Sequence, residues 1–380
     1  MKRNPERSMR VLGIMSGTSL DGVDYALCRI RANGVELLDR WHAAFPSALR
    51  RRLQAAARDD SGVYELGRLH HELGRFYARE ARRGLGRRRI DAAALHGQTV
   101  FHEPAPPGRA TLQIGEPAWL VETLGAPVVS NFRAADLAAG GQGAPIATEF
   151  HRIVFARQNR CVCVNNLGGI SNVTALDWRR GRQPALTAFD TGPANLLLDL
   201  AARHFSNGRR ACDRNGRLAA KGEVHGGLLD RWLGHPFICR PPPKSTGREE
   251  FGEVFWERAR RESEAAGLNA AAVLATLTAF TAASLAMNYR LHLPAPPDEL
   301  ILCGGGARNP TLRHAIARAV GELNPAVEIR TSAELGWPSQ AIEPAAFAWL
   351  AALRLEGRRP EIARTTGARR AALLGQVSRP

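Results

Sequence analysis

The stretch VLGIMSGTSLDGVDYALCRI, residues 11–30, decides the fold. An apolar run ends in small or turn-forming residues from Ser16 to Gly22, and a second, alternating apolar run begins directly after them. Both runs are typical of β-strands, and the pair Asn33-Gly34 that follows favours a tight hairpin turn. Residues 10–45 are therefore predicted to form a three-stranded meander whose first turn is unusually rich in glycine and hydroxyl groups.

The pattern restarts in the second half of the chain. An Ala- and Gly-rich stretch covers residues 134–150, and CVCVNNLGGISNVTALD then reads from Cys161 as a second strand, glycine turn and strand. Helical patterns alternate with strands after both starts, which indicates two α/β lobes with a cleft between them. The expected lobes are residues 11–135 and 136–364, with residues 1–10 disordered and residues from about 365 to 380 available to pack onto the first lobe.

The composition narrows the class of protein. An apolar content of 44% in 380 residues is ordinary for a globular protein with sizeable cores. No uninterrupted apolar run approaches the roughly 20 residues of a membrane helix, and the run after the charged N-terminus is too short for a signal peptide. The six cysteines are scattered, as buried thiols in a reducing compartment would be. A cytoplasmic protein without a membrane partner is expected.

The formal net charge of +16 raises the question of nucleic-acid binding. Lysine occurs only at positions 2, 221 and 244, so 49 of the 52 basic residues are arginines, and they are spread over the whole chain. No helix-turn-helix, zinc-finger or RNA-binding sequence motif accompanies them. A biased composition with attraction for anionic substrates is the better interpretation, and no specific nucleic-acid partner is expected.

Four turns have the composition of anion-binding cradles, because glycines let backbone N–H groups converge on one anion. They are Ser16–Gly22, Gly168–Asn172, Asp190–Asn195 and Gly304–Asn309. The hydroxyls of Ser16, Thr18 and Ser19 add donors, and the helix after Gly192-Pro193 would direct its positive N-terminus at the same anion. The sequence has no P-loop, no dinucleotide fingerprint after its first strand and no kinase catalytic loop. Nucleotide binding is therefore predicted to use hairpin turns.

A set of motifs follows along the chain: GIMSGTSLDGVD, LHGQT, TLQIG, NFRAADLAAGGQGAPI, NNLGGISNVT, FDTGPAN, PPKSTGREEF, CGGGARNP and TSAELGW with IEPAAFAWLA. In this order they resemble the anhydro-N-acetylmuramic acid kinase family, from about residue 11 to the C-terminus. The resemblance implies an α/β, two-lobed actin/Hsp70/sugar-kinase-like (ribonuclease H-like) fold with an interlobe cleft. It also implies a homodimer that uses ATP and Mg²⁺ to phosphorylate 1,6-anhydro-N-acetylmuramic acid while water opens the anhydro ring, giving N-acetylmuramic acid 6-phosphate and ADP.

The resemblance also implies roles for particular residues. Asp190 matches the catalytic base, and Glu343 would help to hold the attacking water. The residues expected to bind the ATP phosphates are Ser16, Gly17, Thr18, Ser19, Leu20, Asp21, Gly22, Val23, Asp24, Gly168, Gly169 and Gly192. Those expected beside adenosine are Gly304, Gly305, Gly306 and Asn309, and those expected to bind the sugar are Arg133, His96 and Asn195, with Arg133 on its lactyl carboxylate. The metal would be held by Asp21 or Asp190, and the sequence does not decide between them.

Each of these roles has a simpler structural alternative. Asp190 could be an N-cap of the following helix, and Glu343 a favourable charge in the first turn of another. Arg133 could form a surface ion pair with Asp136, three residues on. Lys244, in PPKSTGRE, could reach a phosphate or only order a loop.

Two positions depart from the family's usual pattern. Asn131 stands where the family has Asp before Phe-Arg, and Ala194 stands where it has Gly in FDTGPAN. Ala194 is expected to keep ordinary helical dihedral angles. Three other functions are weighed: another kinase of the same superfamily, a non-enzymatic ATP-dependent binding or regulatory protein, and a nucleic-acid binder. LHGQT and GGQGAP argue against a hexose kinase, and Asp190 argues against a non-catalytic protein.

Overall fold

The computed structural model describes residues 8–17, 19–32, 34–104 and 108–380. The predicted turn residues Thr18 and Asn33 lie outside the described residues, as do residues 1–7. The strands are β1 (Met9–Ser16), β2 (Gly22–Arg31), β3 (Gly34–Ala44), β4 (Ala92–Glu103), β5 (Ala110–Ile114), β6 (Val128–Ser130), β7 (Cys161–Leu167), β8 (Ile170–Asp177), β9 (Ala185–Pro193), β10 (Glu299–Cys303), β11 (Glu328–Thr331) and β12 (Gln376–Ser378).

Helices alternate with these strands. They are α1 (Ser47–Ala56), α2 (Val63–Leu85), α3 (Ala118–Leu124), α4 (Ala134–Ala138), α5 (Thr148–Phe155), α6 (Asn195–Phe205), α7 (Gly226–Leu233), α8 (Pro236–Cys239), α9 (Arg248–Phe251), α10 (Glu253–Ala265), α11 (Ala270–His292), α12 (Pro310–Gly321), α13 (Ser339–Leu355) and α14 (Ala363–Thr366). Short 3₁₀ helices cover Arg214–Gly216, Ala219–Lys221 and Gly305–Arg308.

The chain divides into two compact units, unit 1 (Met1–Val154 and Gln340–Pro380) and unit 2 (Phe155–Ser339). These bounds differ from the expected lobes, because residues 136–154 and α13 belong to unit 1. One contact that places the Ala- and Gly-rich stretch with unit 1 cannot be seen from composition. Asp136 accepts the Thr366 hydroxyl at 2.7 Å, which ties the stretch to the C-terminal segment, and it also accepts the Gly143 N–H (2.8 Å) within the stretch.

The expected disordered segment, residues 1–10, also extends too far along the chain. Met9 and Arg10 already belong to β1 and lie opposite Ile30 and Arg29 of β2. The Arg10 N–H donates to Asp91 Oδ2 at 2.7 Å, which holds the start of the strand in place. The expectation of disorder is therefore wrong for these two residues.

The two units build their sheets in the same strand order. In the described part of unit 1 the order is β12-β6-β4-β1-β2-β3, with β5 beside β4, and in unit 2 it is β11-β10-β7-β8-β9. Each sheet opens with an antiparallel meander, β1-β2-β3 or β7-β8-β9. Parallel strands then add to the first strand of each meander, β4 and β6 in unit 1 and β10 and β11 in unit 2. The alternation predicted from residues 11–30 and from Cys161 is confirmed.

The core of unit 1 forms between its sheet and the helices α1 and α2. Apolar residues recur along α2 at helical spacing, and Leu69, Leu73, Phe76 and Tyr77 are buried against strand residues such as Leu12. Each fully buried side chain of this size contributes roughly 1.5–3 kcal/mol to the transfer free energy that stabilises the fold.

The core of unit 2 surrounds α11, which is apolar on almost every side. Among the described residues this is the one helix long and apolar enough to cross a membrane, and two-thirds of its most apolar window is buried. A helix that is hydrophobic all round and covered by protein is the usual centre of a large core.

Candidate active site

The first turn of unit 1 does not use all of its expected residues in the same way. The Ser16 hydroxyl is buried, lies 2.8 Å from the Tyr77 hydroxyl and donates to Gly97 O at 3.1 Å. The side chains of Leu20 and Val23 lie in the unit 1 core. The expectation that the Ser16 hydroxyl binds phosphate is therefore wrong, and Leu20 and Val23 offer only backbone groups.

The glycines of this turn fall into two kinds. A Cβ on Gly22 would come within 2.6 Å of the His42 ring and would also meet Ala43 O, so the β2–β3 pairing itself requires glycine. A Cβ on Gly17 would meet nothing closer than Ser19 Oγ at 3.8 Å, and packing within the protein leaves its identity unexplained. The turn is held by Gly17 O, which accepts the Leu20 N–H and the Gln98 side-chain amide, both at 3.2 Å. Close approach of a ligand would account for Gly17.

One carboxylate, Asp21, lies in this turn, and a second, Asp24, follows it on β2. Asp21 is exposed and accepts the Ser19 hydroxyl at 2.7 Å. Asp24 is half-buried and lies 2.9 Å from Nδ1 of His42. Burial raises the pKa of Asp24, although the hydrogen bond and charge of His42 oppose that change.

Glu343 joins this acidic group from α13. Because Gly13 has no side chain, the backbone of Pro344 approaches β1 there more closely than any Cβ would allow. The Glu343 side chain is exposed, so its desolvation is partial. Desolvation by the surrounding protein still raises the pKa of Glu343. The charge of Arg133 opposes this change, and the charge of Asp24 adds to it. α13 begins at Ser339, so Glu343 lies beyond the first helical turn, and the alternative of a helix-dipole charge is wrong.

Arg133 is held by two acceptors. Its Nε and Nη2 donate to Nε2 of His96 at 3.1 and 3.0 Å, and its Nη1 donates to Gly143 O at 2.6 Å. These three bonds use three of five N–H groups, and the remaining N–H on each terminal nitrogen matches the two oxygens of a carboxylate. Burial lowers the pKa of Arg133 to about 10, and the charges of Glu343 and Asp136 oppose the change, so the guanidinium stays charged at neutral pH.

His96 orients Arg133 rather than binding a ligand itself. Its Nδ1 lies 2.8 Å from Gly97 O, and because a carbonyl can only accept, Nδ1 carries the hydrogen and Nε2 is the acceptor for Arg133. Burial holds the pKa of His96 well below its ordinary value, and the charge of Arg133 lowers it further, so the ring is neutral. Both ring nitrogens are engaged, and the expectation that His96 contacts the sugar is wrong.

The alternative of an Arg133–Asp136 surface ion pair is also wrong. Asp136 is 1% exposed, and its two carboxylate oxygens accept from Gly143 and Thr366. Asp136 therefore shapes the loop whose Gly143 carbonyl receives Arg133. Asn131, the departure from the family's Asp, has a left-handed φ of 52°, a conformation that Asn adopts more readily than most residues.

In unit 2 the turn at Gly168 and Gly169 packs against the start of α6. Gly168 O accepts the Asn195 N–H at 3.0 Å, and Gly169 O accepts the N–H groups of Ala194 and Leu196 at 2.9 and 3.1 Å. The first amides of α6 are therefore used inside the protein, and the expectation that they face an anion is wrong. A trans peptide points its N–H opposite to its C=O, so the Gly169 N–H points away from α6 and remains the better phosphate donor.

Asn195 and Ala194 also differ from expectation. The Asn195 side-chain amide nitrogen donates to Leu167 O (2.9 Å) and Gly168 O (2.8 Å), so it fixes the turn. The predicted contact of Asn195 with the sugar stays a prediction. Ala194 has φ −127° and ψ −109°, outside the helical region that was expected.

The turn Gly304–Asn309 follows β10. Gly304 has a φ of 80°, and a Cβ there would collide with Asn166 and Leu167. A Cβ on Gly306 would lie 2.7 Å from Leu167 Cβ, so packing requires glycine there as well. A Cβ on Gly305 would have room, because its nearest neighbour would be Asn195 Nδ2 at 3.7 Å. Asn309 caps α12, its Oδ1 accepting the Leu312 N–H at 3.1 Å. Of the four residues expected beside adenosine, Gly305 is the one whose identity the protein's own packing leaves open.

Asp190 lies on β9, four residues before the N-cap of α6, so the alternative of an N-cap role is wrong. Its Oδ2 accepts the Thr246 N–H at 2.8 Å. Burial raises the pKa of Asp190 to about 6; the Thr246 hydrogen bond and the charge of Lys244 oppose this, and the charge of Glu249 adds to it. A half-buried carboxylate with a pKa near neutral and one anchored oxygen is suited to accept a proton.

A β-bulge sets the direction of this carboxylate. Asn172 pairs with Asp190 and Ser171 pairs with Gly192, so Thr191 is the extra residue. The Thr191 hydroxyl donates to Ser171 Oγ at 2.7 Å, and its carbonyl accepts from Ser284 and Asn288 of α11. Gly192 follows with a φ of 126°, and a Cβ there would collide with Ser284, so the bulge accounts for this glycine without a phosphate. No sequence signal indicated this bulge.

No cluster of three or more His, Cys, Asp or Glu side chains that could hold a metal ion occurs in the described part of the chain. Mg²⁺ in phosphate-transfer sites uses only one or two carboxylates, together with water and substrate phosphates. The lone carboxylates of Asp21 and Asp190 fit that donor set. A concavity of about 710 Å³ on α2 is lined by Arg52, Val63, Tyr64, Gly67, Arg68, His71, Glu72 and Arg75, none of which was an expected site residue.

Two units with one strand order, each with a glycine turn after its first strand, define a kinase or ATPase of the actin, Hsp70 and sugar-kinase class. Comparison with known proteins gives the family. The family model described as anhydro-N-acetylmuramic acid kinase matches residues 9–380. The chain therefore belongs to the anhydro-N-acetylmuramic acid kinase family, and it is a kinase that uses ATP.

Individual relatives match this chain over most or all of their own length. The anhydro-N-acetylmuramic acid kinase of Picosynechococcus sp. is 41% identical over 98% of this chain and 100% of its own. That of Acidithiobacillus ferrooxidans is 42% identical over 97% of this chain and 92% of its own. Among solved structures, component A of (R)-2-hydroxyglutaryl-CoA dehydratase from Acidaminococcus fermentans is 14% identical, covers 90% of this chain and 99% of its own, and has a TM-score of 0.45.

Proposed function

We propose that this kinase phosphorylates O6 of 1,6-anhydro-N-acetylmuramic acid with ATP while water opens the anhydro ring. The products are N-acetylmuramic acid 6-phosphate and ADP. The observation that carries the proposal is the full-length identity of about 40% to relatives that bear this enzyme name. The geometry agrees with it, because Asp190 and Arg133 offer a base and a carboxylate-binding cation, the two groups that this reaction and this substrate need.

Asp190 is the proposed general base. Water attacks C1, the C1–O6 bond breaks, O6 takes the γ-phosphoryl group from ATP, and the proton of the water passes to Asp190. The Thr246 N–H anchors Oδ2, which leaves Oδ1 to accept that proton. Glu343 is proposed as a second acceptor that helps to hold the water.

Arg133 is proposed to bind the lactyl carboxylate of the sugar acid. The two N–H groups not used by His96 and Gly143 would form parallel hydrogen bonds to the two carboxylate oxygens. A neutral His96 is essential to this role, because a protonated ring would have no acceptor for Arg133.

In unit 1, Gly17 is proposed to contact the ATP phosphates. Within unit 2, the Gly168–Gly169 turn is proposed as a phosphate-binding turn and Gly305 as a residue beside adenosine. Asp21 or Asp190 would hold Mg²⁺, whose charge would neutralise that developing on the phosphates. A cytoplasmic homodimer without a nucleic-acid or membrane partner is proposed on the composition and the family resemblance.

The test is an ADP-release assay with and without 1,6-anhydro-N-acetylmuramic acid, run in ¹⁸O-labelled water. ADP release that depends on the anhydro sugar, with ¹⁸O at C1 of the product, is expected. ADP release without the sugar acid, or an unlabelled product, would contradict the mechanism. Glucose and N-acetylglucosamine serve as control acceptors, because neither has a lactyl carboxylate or an anhydro ring.

A further inference from the structure

Lys244 is a buried cation in a chain that otherwise relies on arginine. Its side chain is 7% exposed, and its Nζ donates to Phe237 O and Ile238 O, both at 3.0 Å. Both carbonyls belong to α8, and Nζ also lies 4.7 Å from the centroid of the Phe237 ring. Two of its three N–H donors thus hold backbone carbonyls, and Lys244 orders a loop.

The loop that Lys244 orders contacts both the main chain and the carboxylate of Asp190. The Asp190 N–H donates to Lys244 O at 3.2 Å, and the Thr246 N–H donates to Asp190 Oδ2 at 2.8 Å. The Thr246 hydroxyl in turn donates to Glu250 Oε2 at 2.8 Å, which fixes the far end of the segment. The backbone of residues 244–246 therefore sets both the main chain and the carboxylate of Asp190.

We propose that Lys244 is a positioning residue for Asp190, an inference that rests on the proposed role of Asp190 as base. Its ammonium clamps the Phe237 and Ile238 carbonyls, and this contact fixes residues 244–246 against Asp190. The same positive charge stabilises the ionised form of the carboxylate that must accept the proton.

Lysine suits this place better than arginine. The ammonium is a compact charge that can lie between two consecutive carbonyls, whereas a guanidinium is a wide planar fork that matches paired acceptors in one plane. Since 49 of the 52 basic residues are arginine, a lysine at this buried site fits a requirement of geometry better than one of composition.

Other charges also face these two groups. Cys239, Arg240 and Glu250 lie around Lys244, Glu249 acts on Asp190, and His292 of α11 senses the Lys244 charge. Burial lowers the pKa of Lys244 to about 8, so its charge is present at neutral pH and is lost as the pH rises through that value.

The test compares Lys244→Met with Lys221→Met, which removes the same charge from an exposed position of the same unit. We expect kcat to fall about 10- to 100-fold in Lys244→Met, the usual effect of a displaced catalytic group. We expect the KM for ATP to stay unchanged. Lys221→Met should match the wild type in both.

A second measurement separates this inference from the proposed function. Hydrogen exchange of the Lys244–Gly247 amides should be faster in Lys244→Met than in Lys221→Met, whether or not the sugar acid is the true substrate. Unchanged exchange or a kcat within twofold of the control would overturn the role of Lys244. If Lys244→Met does not fold, Lys244→Arg replaces it, and we then expect lowered kcat and faster exchange of the same amides, because a guanidinium does not fit between the two carbonyls.

Discussion

Replacing Asp190 with Asn should strongly reduce turnover and stabilise the protein at the same time. The folded pKa of Asp190, about 6, lies above its ordinary value of 3.8 because the carboxylate is buried. The proton is therefore held more tightly in the folded chain. The associated stability is complete below about pH 3.8 and is lost as the pH rises through about 6. Asn carries no charge at any pH, so Asp190→Asn escapes this loss and can still accept the Thr246 hydrogen bond.

The magnitude follows from the difference between the two pKa values. About two pH units correspond to about 3 kcal/mol in the free energy of unfolding, and partial exposure of the side chain reduces this to about 1–2 kcal/mol. For a unit of this size such a gain raises Tm by roughly 2–8 °C. Loss of the base should lower kcat by a factor of about 10²–10⁴.

Asp199→Asn is the matched control. Asp199, on α6 of the same unit, also has its pKa raised to about 6 by burial, with Arg203 opposing the change, but it has no proposed catalytic role. Thermal unfolding at about pH 8 should show both variants above the wild type, and the difference should vanish near pH 4. Only Asp190→Asn should lose turnover in the ADP assay. Turnover of Asp190→Asn within a few-fold of the wild type would refute the role of base, and no stability gain at pH 8 would refute the burial argument.

Two further predictions concern unit 1. Gly17→Ala should raise the KM for ATP on the order of 10-fold without changing Tm, whereas Gly22→Ala should lower the free energy of unfolding by about 1–3 kcal/mol, because its Cβ meets the His42 ring. Steady-state kinetics and thermal unfolding check both, and equal effects of the two would contradict the distinction. Arg133→Lys should raise the KM for the sugar acid about 10- to 100-fold and leave the KM for ATP unchanged, since an ammonium cannot bind His96 and a carboxylate bidentately. An unchanged KM for the sugar acid would remove Arg133 from substrate binding.

Local patterns were sufficient to predict most strands and helices. The alternation after Gly22 predicted β2, because this signal lies within one element. The boundary of the two units was not predictable in this way. It depends on Asp136, whose partner Thr366 lies 230 residues away in the chain.

The sequence analysis proposed the residues of the candidate site by their type, but it did not predict the hydrogen bonds between them. The bulge at Thr191 depends on Ser284 and Asn288, 93 and 97 residues further on, and no local pattern encodes such contacts. The start of α6 likewise looked free to bind an anion, because the sequence does not show that Gly168 and Gly169 use its amides. Composition indicates which turns are unusual, and only the fold shows which of their polar groups are already used.

The motif LHGQT shows why a short sequence can matter at two places in one unit. His96 accepts from Arg133, and Gln98 donates to Gly17 O, so the middle of β4 holds both the guanidinium and the first turn. Gly97 O lies between them and accepts from His96 Nδ1 and from the Ser16 hydroxyl. A shift of this part of the strand would therefore move the proposed carboxylate-binding group and the proposed phosphate turn together. Their spacing within unit 1 is fixed by three consecutive residues, which explains why a motif with no nucleophile or base of its own lies at the centre of this unit's chemistry.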